Sequence, residues 1–141
     1  MLKEEFDSSG NLVHYAVLAL IEDNGKYFLV ERETLPSGYA LVTGHVEDGE
    51  SEEEALVREV KEETGLNILK FQLIFKDKID NSECNKNANV HKSFVFKCDV
   101  GGKVKLNKKE NKKYGWFSKE EIRRLELGPY WERVLKQIEI L

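Results

Sequence analysis

Hydrophobic and polar positions change rhythm several times along the chain. "VHYAVLALIED" (13–23) and "KYFLVERE" (26–33) are dense in β-branched and aromatic residues, which predicts two strands. Between them "DNG" supplies Asn24 and Gly25, residues that tolerate positive φ and so predict a tight hairpin. "YALVTG" (39–44) reads as a short third strand after the Pro36-Ser37-Gly38 turn. The rhythm then becomes helical. Ser51 stands as an N-cap with Glu54 three residues on, a pair able to exchange side-chain and backbone hydrogen bonds. Gly65 stops this helix after about Thr64. "LNILKFQLIFKDKID" (66–80) suits strand or helix by composition, and the alternation of Phe71, Leu73 and Phe75 favours strand. A polar loop, "NSECNKNAN" (81–89), leads to "VHKSFVFKCDV" (90–100), which puts Phe94, Phe96, Cys98 and Val100 on one face. Gly101-Gly102 turns the chain, and "KYGWF" (113–117) is a further strand. Ser118 with Glu121 opens a helix to about Leu125, and Pro129 starts a last one, "PYWERVLKQIEI". The expectation is one domain over residues 1–141, a mixed β-sheet with helices, α+β or α/β in class.

Composition narrows the function. A chain of 141 residues, 40% hydrophobic and 10% aromatic, has enough apolar material for one core. The net charge of -4 argues against a dedicated nucleic-acid binder, which is usually strongly basic. No apolar run approaches the length of a membrane span. "MLKEEFDSSG" lacks the basic-then-apolar order of a signal peptide. Cys84 and Cys98 form no CxxC pair and suggest no disulfide framework. A soluble cytoplasmic protein is expected.

Charge is concentrated in "GHVEDGESEEEALVREVKEETGL" (44–66), where only Arg58 and Lys61 answer nine acids. With Ala55 as origin at about 100° per residue, Glu62, Glu59 and Glu63 fall within an arc of roughly 100°. Leu56, Val60 and Val57 form the natural core face, and Arg58 and Lys61 fall outside the acidic arc. Like-charge pairs at these spacings cost only a few tenths of a kcal/mol each. Periodicity alone therefore permits a solvated acidic face as readily as a cation site.

The wider spacing decides between them. Gly44, five residues, Glu50, seven residues, then Arg58-Glu59-Val60-Lys61-Glu62-Glu63-Thr64-Gly65-Leu66 resembles the Nudix box of the Nudix hydrolases, with every specified position filled. At average residue frequencies such a match arises by chance less than roughly once in 10⁹ starting positions. The resemblance extends over nearly the whole chain, because "GWFSKEEI" (115–122) is similar to the family's closing strand and helix. It implies a Nudix-type α/β/α sandwich with a mixed sheet. It also implies a pyrophosphohydrolase that splits a nucleoside diphosphate linked to X into a nucleoside monophosphate and phospho-X. Glu59, Glu62 and Glu63 are the implied ligands for Mg²⁺ or Mn²⁺, with a backbone carbonyl at Gly44. Arg58 is implied to pair with Glu50, while Gly44 and Gly49 let the loop fold tightly and Gly65 ends the helix. One departure from the pattern is Thr43, where many relatives carry a second glycine.

Family members differ over the general base, some using a box glutamate and others one from a later loop. Glu110, six residues before Trp116, is the later candidate, and Glu83 the lesser one. His14, His45 and His91 are scattered in sequence. His45 belongs to the box loop, where a solvent-facing role is favoured over phosphate contact. Trp116, Tyr39 and Phe28 are assigned to core packing before base stacking. The lysines from Lys103 to Lys113 read as a solvated hairpin and loop. The implied partner is a small-molecule nucleoside diphosphate derivative, with no membrane, nucleic acid disfavoured, and a homodimer compatible. Two alternatives stay open: an RNA 5′-end pyrophosphohydrolase, which the lysines would suit, and a non-catalytic nucleotide-sensing domain.

Overall fold

The computed structural model describes residues 1–34, 37–80, 82 and 88–141. Its centre is a parallel pair, β2 (Leu12–Asp23) and β7 (Val90–Gly101), in register from Val13↔Val90 to Ile21↔Cys98. Strands covered on both faces lose strict alternation, and Val95 is as deeply buried as Phe94 and Phe96. The edge strand β6 (Asn67–Ile79) runs antiparallel to β7 and leaves Leu69, Phe71, Leu73 and Ile74 exposed. On its other side β2 pairs with β1 (Glu4–Phe6) and then with β5 (Val42–His45). The Asn24-Gly25 hairpin forms as expected, with φ of 51° and 77°, and carries the chain into β3 (Lys26–Arg32). β3 in turn pairs with β4 (Gly38–Ala40) and β8 (Asn111–Phe117).

Three helices complete the described fold. α1 (Glu52–Thr64) packs on β5, β2 and β6. Its capping box is formed: Glu54 N–H donates to Ser51 Oγ (3.1 Å) and Ser51 N–H to Glu54 Oε1 (3.0 Å). Gly65 closes it at φ 76°. α2 (Lys119–Ile122) has the same box at Ser118 and Glu121. α3 (Pro129–Gln137) lies against the other side of the sheet, where the Tyr130 and Ser93 hydroxyls meet at 2.5 Å.

Several expectations are corrected. "YALVTG" is not one strand. It breaks at Leu41, with β4 adding to β3 and β5 adding to β2. Composition shows that a segment is extended and leaves its pairing partner unspecified. β1 escaped notice because it is short and exposed, held by a turn in which Asp7 Oδ1 accepts from the amides of Ser9 and Asn11. α2 ends at Ile122, short of Leu125, as the chain tightens into Arg124→Glu121 and Leu125→Ile122 bonds. The last helix likewise stops at Gln137. Pro36, Glu83 and Cys84 lie outside the described residues.

Candidate active site

The buried face of α1 is rotated from the one its hydrophobic pattern implies. Val57 is 45% exposed, whereas Ala55, Leu56, Val60, Glu63 and Thr64 are buried. Glu63 thus sits near the middle of the buried face, between the wheel positions of Ala55 and Leu56. The acidic arc is a gradient: the Glu62 side chain is 57% exposed, Glu59 16%, and the Glu63 residue only 3%. A solvated acidic face would not bury its carboxylates in this way.

Arg58, expected outside the arc, reaches into it. Its Nε and Nη2 donate to Glu50 Oε2 and Oε1 at 2.7 and 2.9 Å, the two-pronged grip expected of a guanidinium. Nη1 donates to Glu59 (2.8 Å) and Glu62 (3.2 Å), and Nη2 also to the His45 carbonyl (3.0 Å). Loop and helix are therefore tied through one side chain. Gly49, at φ 80°, lets the loop return to Glu50. Gly44 has a different part from the expected turn: it lies within β5, and a Cβ there would fall 2.0 Å from Glu59 Cδ. Glu59 lies flat on bare backbone, a placement that only glycine permits. Thr43, the departure from the box pattern, donates to the Leu41 carbonyl and accepts from Trp131 Nε1, both at 2.8 Å, anchoring this strand to α3.

Glu110 comes to the same place. Its turn is fastened to the end of α1 by Asn107 N–H donating to the Glu63 carbonyl (2.8 Å), and to the residue after β3 by Glu33 N–H donating to the Glu110 carbonyl (2.7 Å). The Glu110 carboxyl acts on Glu63 from this turn, and two carboxyls brought together hold each other's charge in check. Burial is the largest cause raising Glu63 well above the ordinary carboxylate range, followed by the Glu110 carboxyl, with Arg32 opposing. Burial likewise pushes Glu59 up to about 7, although Arg58 pulls it down. Glu50, gripped by Arg58, is lowered.

Arg32 was not singled out by the sequence. It ends β3 at a bulge between Glu31 and Arg32, the kind of irregularity that re-aims a side chain. Its guanidinium lies over Trp131, 4.9 Å from the ring centroid, and its charge acts on Glu63 and Glu110. In sequence it is an ordinary charged residue at a strand end, and only the pairing of β3 with β8 shows where it points. Phe28 is fully buried against Trp116, as expected, and Tyr39 is half-buried against Phe117. Lys103 and Lys105 are exposed, as expected, and with Lys61 they line an open groove beside Glu62. His45 does not face the acids either. Gly44 pairs with Val17 and His45 with Ala16, so neighbouring residues of β5 take opposite faces of the sheet.

A family model described as NUDIX domain matches residues 12–138. The chain belongs to the Nudix family. It is 30% identical to the nucleoside triphosphatase NudI of Escherichia coli (strain SE11), over 85% of this chain and 92% of that protein. A shorter match, 51% over 53 residues, covers 36% of this chain and 31% of the ADP-ribose pyrophosphatase of Methanocaldococcus jannaschii. Among solved structures, the MutT protein of Methanosarcina mazei Go1 superposes with a TM-score of 0.74 at 28% identity, covering 90% and 93% of the two chains. The MutT NUDIX hydrolase of Burkholderia pseudomallei shares the fold at TM-score 0.77 and 22% identity, over 89% and 97%. The protein is a Nudix pyrophosphohydrolase with the α/β Nudix fold, a mixed sheet and three helices. Among the described residues no helix is long and apolar enough to cross a membrane. The acidic site fits the divalent ion that Nudix enzymes use: its side-chain donors are all carboxylate oxygens, as hard cations prefer, and Glu63 is buried among them.

Proposed function

We propose that this Nudix enzyme cleaves the pyrophosphate bond of a nucleoside diphosphate joined to a group X, releasing a nucleoside monophosphate and phospho-X. Glu59, Glu62 and Glu63 would hold Mg²⁺ or Mn²⁺, aided by the Gly44 carbonyl. The observation that carries this reading is the buried Glu63 carboxyl beside Glu59, approached by Glu110 from its exposed turn and with Arg32 acting on both. Bound there, such an ion would supply neutralisation of the pyrophosphate charge and a more acidic water. Arg32, fixed over Trp131, offers a phosphate oxygen a fork of N–H donors from a weakly hydrated cation. Arg58 and Glu50 stay out of the chemistry and keep the box loop in register with α1. Glu110 stands on an exposed turn and takes the proton of the attacking water as general base.

The names of the relatives sample two kinds of X: phosphate in a nucleoside triphosphate, and the sugar ribose in ADP-ribose. A panel of nucleoside triphosphates, ADP-ribose, other nucleoside diphosphate sugars and 5′-triphosphorylated or capped RNA, each with Mg²⁺ and with chelator, tests the proposal. Metal-dependent release of monophosphate from a small nucleotide is expected. Turnover confined to RNA ends, or full turnover after exhaustive chelation, would overturn it.

A further inference from the structure

The chain has 3 histidines, and the fold gathers all of them. His14 stands on β2, His45 on β5 and His91 on β7, with His14 and His91 directly opposite in the parallel ladder. One ligand nitrogen from each lies within 4.8 Å of the other two. His14 and His91 are 1% and 4% exposed, and His45 is half-buried. They occupy the face of the sheet remote from Glu59, reached by the residue next to Gly44.

We propose that His14, His45 and His91 form a second metal site, for a borderline divalent cation such as Zn²⁺ or Co²⁺, separate from the carboxylate site. His45 Nε2 and His91 Nε2 are 3.4 Å apart. With Zn–N bonds of about 2.0–2.1 Å, two tetrahedral ligands stand about 3.3 Å apart, so this pair already spans one edge of the polyhedron. The hydrogen bonds around His91 leave the required nitrogen with its lone pair. Ser82 Oγ has a single proton and donates it to the Ile79 carbonyl at 2.7 Å. The 2.9 Å contact between Ser82 Oγ and His91 Nδ1 then has the imidazole as donor, which leaves Nε2 unprotonated and facing His45. A ring nitrogen held by an outer partner is the usual support of a metal-binding histidine. Glu4 Oε2, 2.8 Å from His14 Nε2, brings the compensating negative charge to the rim. Imidazole donors favour Zn²⁺, Co²⁺ or Cu²⁺, while carboxylates favour Mg²⁺ or Mn²⁺, so the two faces of β5 select different ions. Occupancy would staple β5, β2 and β7 together one residue from the backbone on which Glu59 rests.

The test uses the whole protein, stripped with chelator and returned to excess Mg²⁺ to fill the oxygen site. Co²⁺ is then titrated in. One equivalent should give the intense visible bands of tetrahedral cobalt, displaced by Zn²⁺, and Zn²⁺ should shift the imidazole ¹⁵N resonances of all three histidines. His91→Ala should weaken Co²⁺ binding by about a hundredfold or more, and Glu4→Gln by about tenfold. Glu63→Gln should leave the bands in place. Because a buried histidine variant can fail to fold, the imidazole resonances of the unaltered protein give an independent reading. Unshifted imidazole resonances under excess Zn²⁺ would overturn the proposal. So would cobalt bands that survive in a folded His91→Ala protein or vanish in Glu63→Gln.

Discussion

Arg58→Ala is the most informative single perturbation, because it removes every tie between box loop and helix that the guanidinium makes. Two bonds to Glu50 (2.7 and 2.9 Å), one each to Glu59 and Glu62, and one to the His45 carbonyl are lost together. Exposed ion pairs are worth about 0.2–1 kcal/mol, whereas breaking a fully buried one costs about 3–5 kcal/mol. The Arg58 and Glu50 side chains are 24% and 15% exposed, between those limits and nearer the buried one. We expect a loss of about 2–4 kcal/mol, read by urea unfolding in chelator, with the slope of the transition unchanged. In a double-mutant cycle with Glu50→Ala, the coupling should be about 2 kcal/mol, since much of the single-variant cost is a stranded Glu50 carboxylate. Arg58 also holds Glu59 down against burial, so its removal should raise the Glu59 pKa beyond about 7, followed by carboxyl NMR. Losses that add to within about 0.5 kcal/mol, or a Glu59 titration that does not move, would refute the picture of one side chain bracing both loop and acid.

Three further outcomes follow from the site. Glu63→Gln should lower kcat by about a hundredfold or more without lowering the melting temperature, because it removes a charge needed in the transition state and relieves a buried acid; near-normal turnover would take Glu63 out of the catalytic site. Glu110→Gln should depress kcat more than KM while metal affinity of the free enzyme changes little, and an unchanged kcat would move the general base into the box. In chelator, Glu59 should make the protein less stable as pH rises from about 5 through 7. The folded protein keeps that proton up to about 7 while an ordinary glutamate releases it near 4.5, so the native state binds more protons in this window and the slope is negative. At 1.36 kcal/mol per unit the span is about 3–4 kcal/mol at most, and Glu59→Gln should reduce it; identical pH profiles for the two proteins would count against a buried, proton-retaining Glu59.

What could be read from the sequence was local. The Asn24-Gly25 hairpin, the caps at Ser51 and Ser118 and the spacing of the acids on α1 are each specified within a few residues, where backbone preference and hydrogen bonding act directly. Glu110 was reachable only through its distance from Trp116, because its place depends on a turn sewn to the end of α1. Arg32, the exposure of Val57, the break at Leu41 and the meeting of three histidines depend on which strand pairs with which and how a helix is rolled on a sheet. Such choices are made by the whole core, and no window of the sequence carries them.

Between the break at Leu41 and the start of the box loop, β5 has four residues, Val42–His45, and no slack. A strand repeats every two residues, so deleting or inserting one here would exchange its faces. A histidine would then press on Glu59, and the imidazole cluster would lose a member. Substitution can tune either face separately, but a change of length alters both at once. Among natural variants of this chain, length variation should therefore gather in the outer loops and leave residues 42–45 at constant length, even where their identities drift.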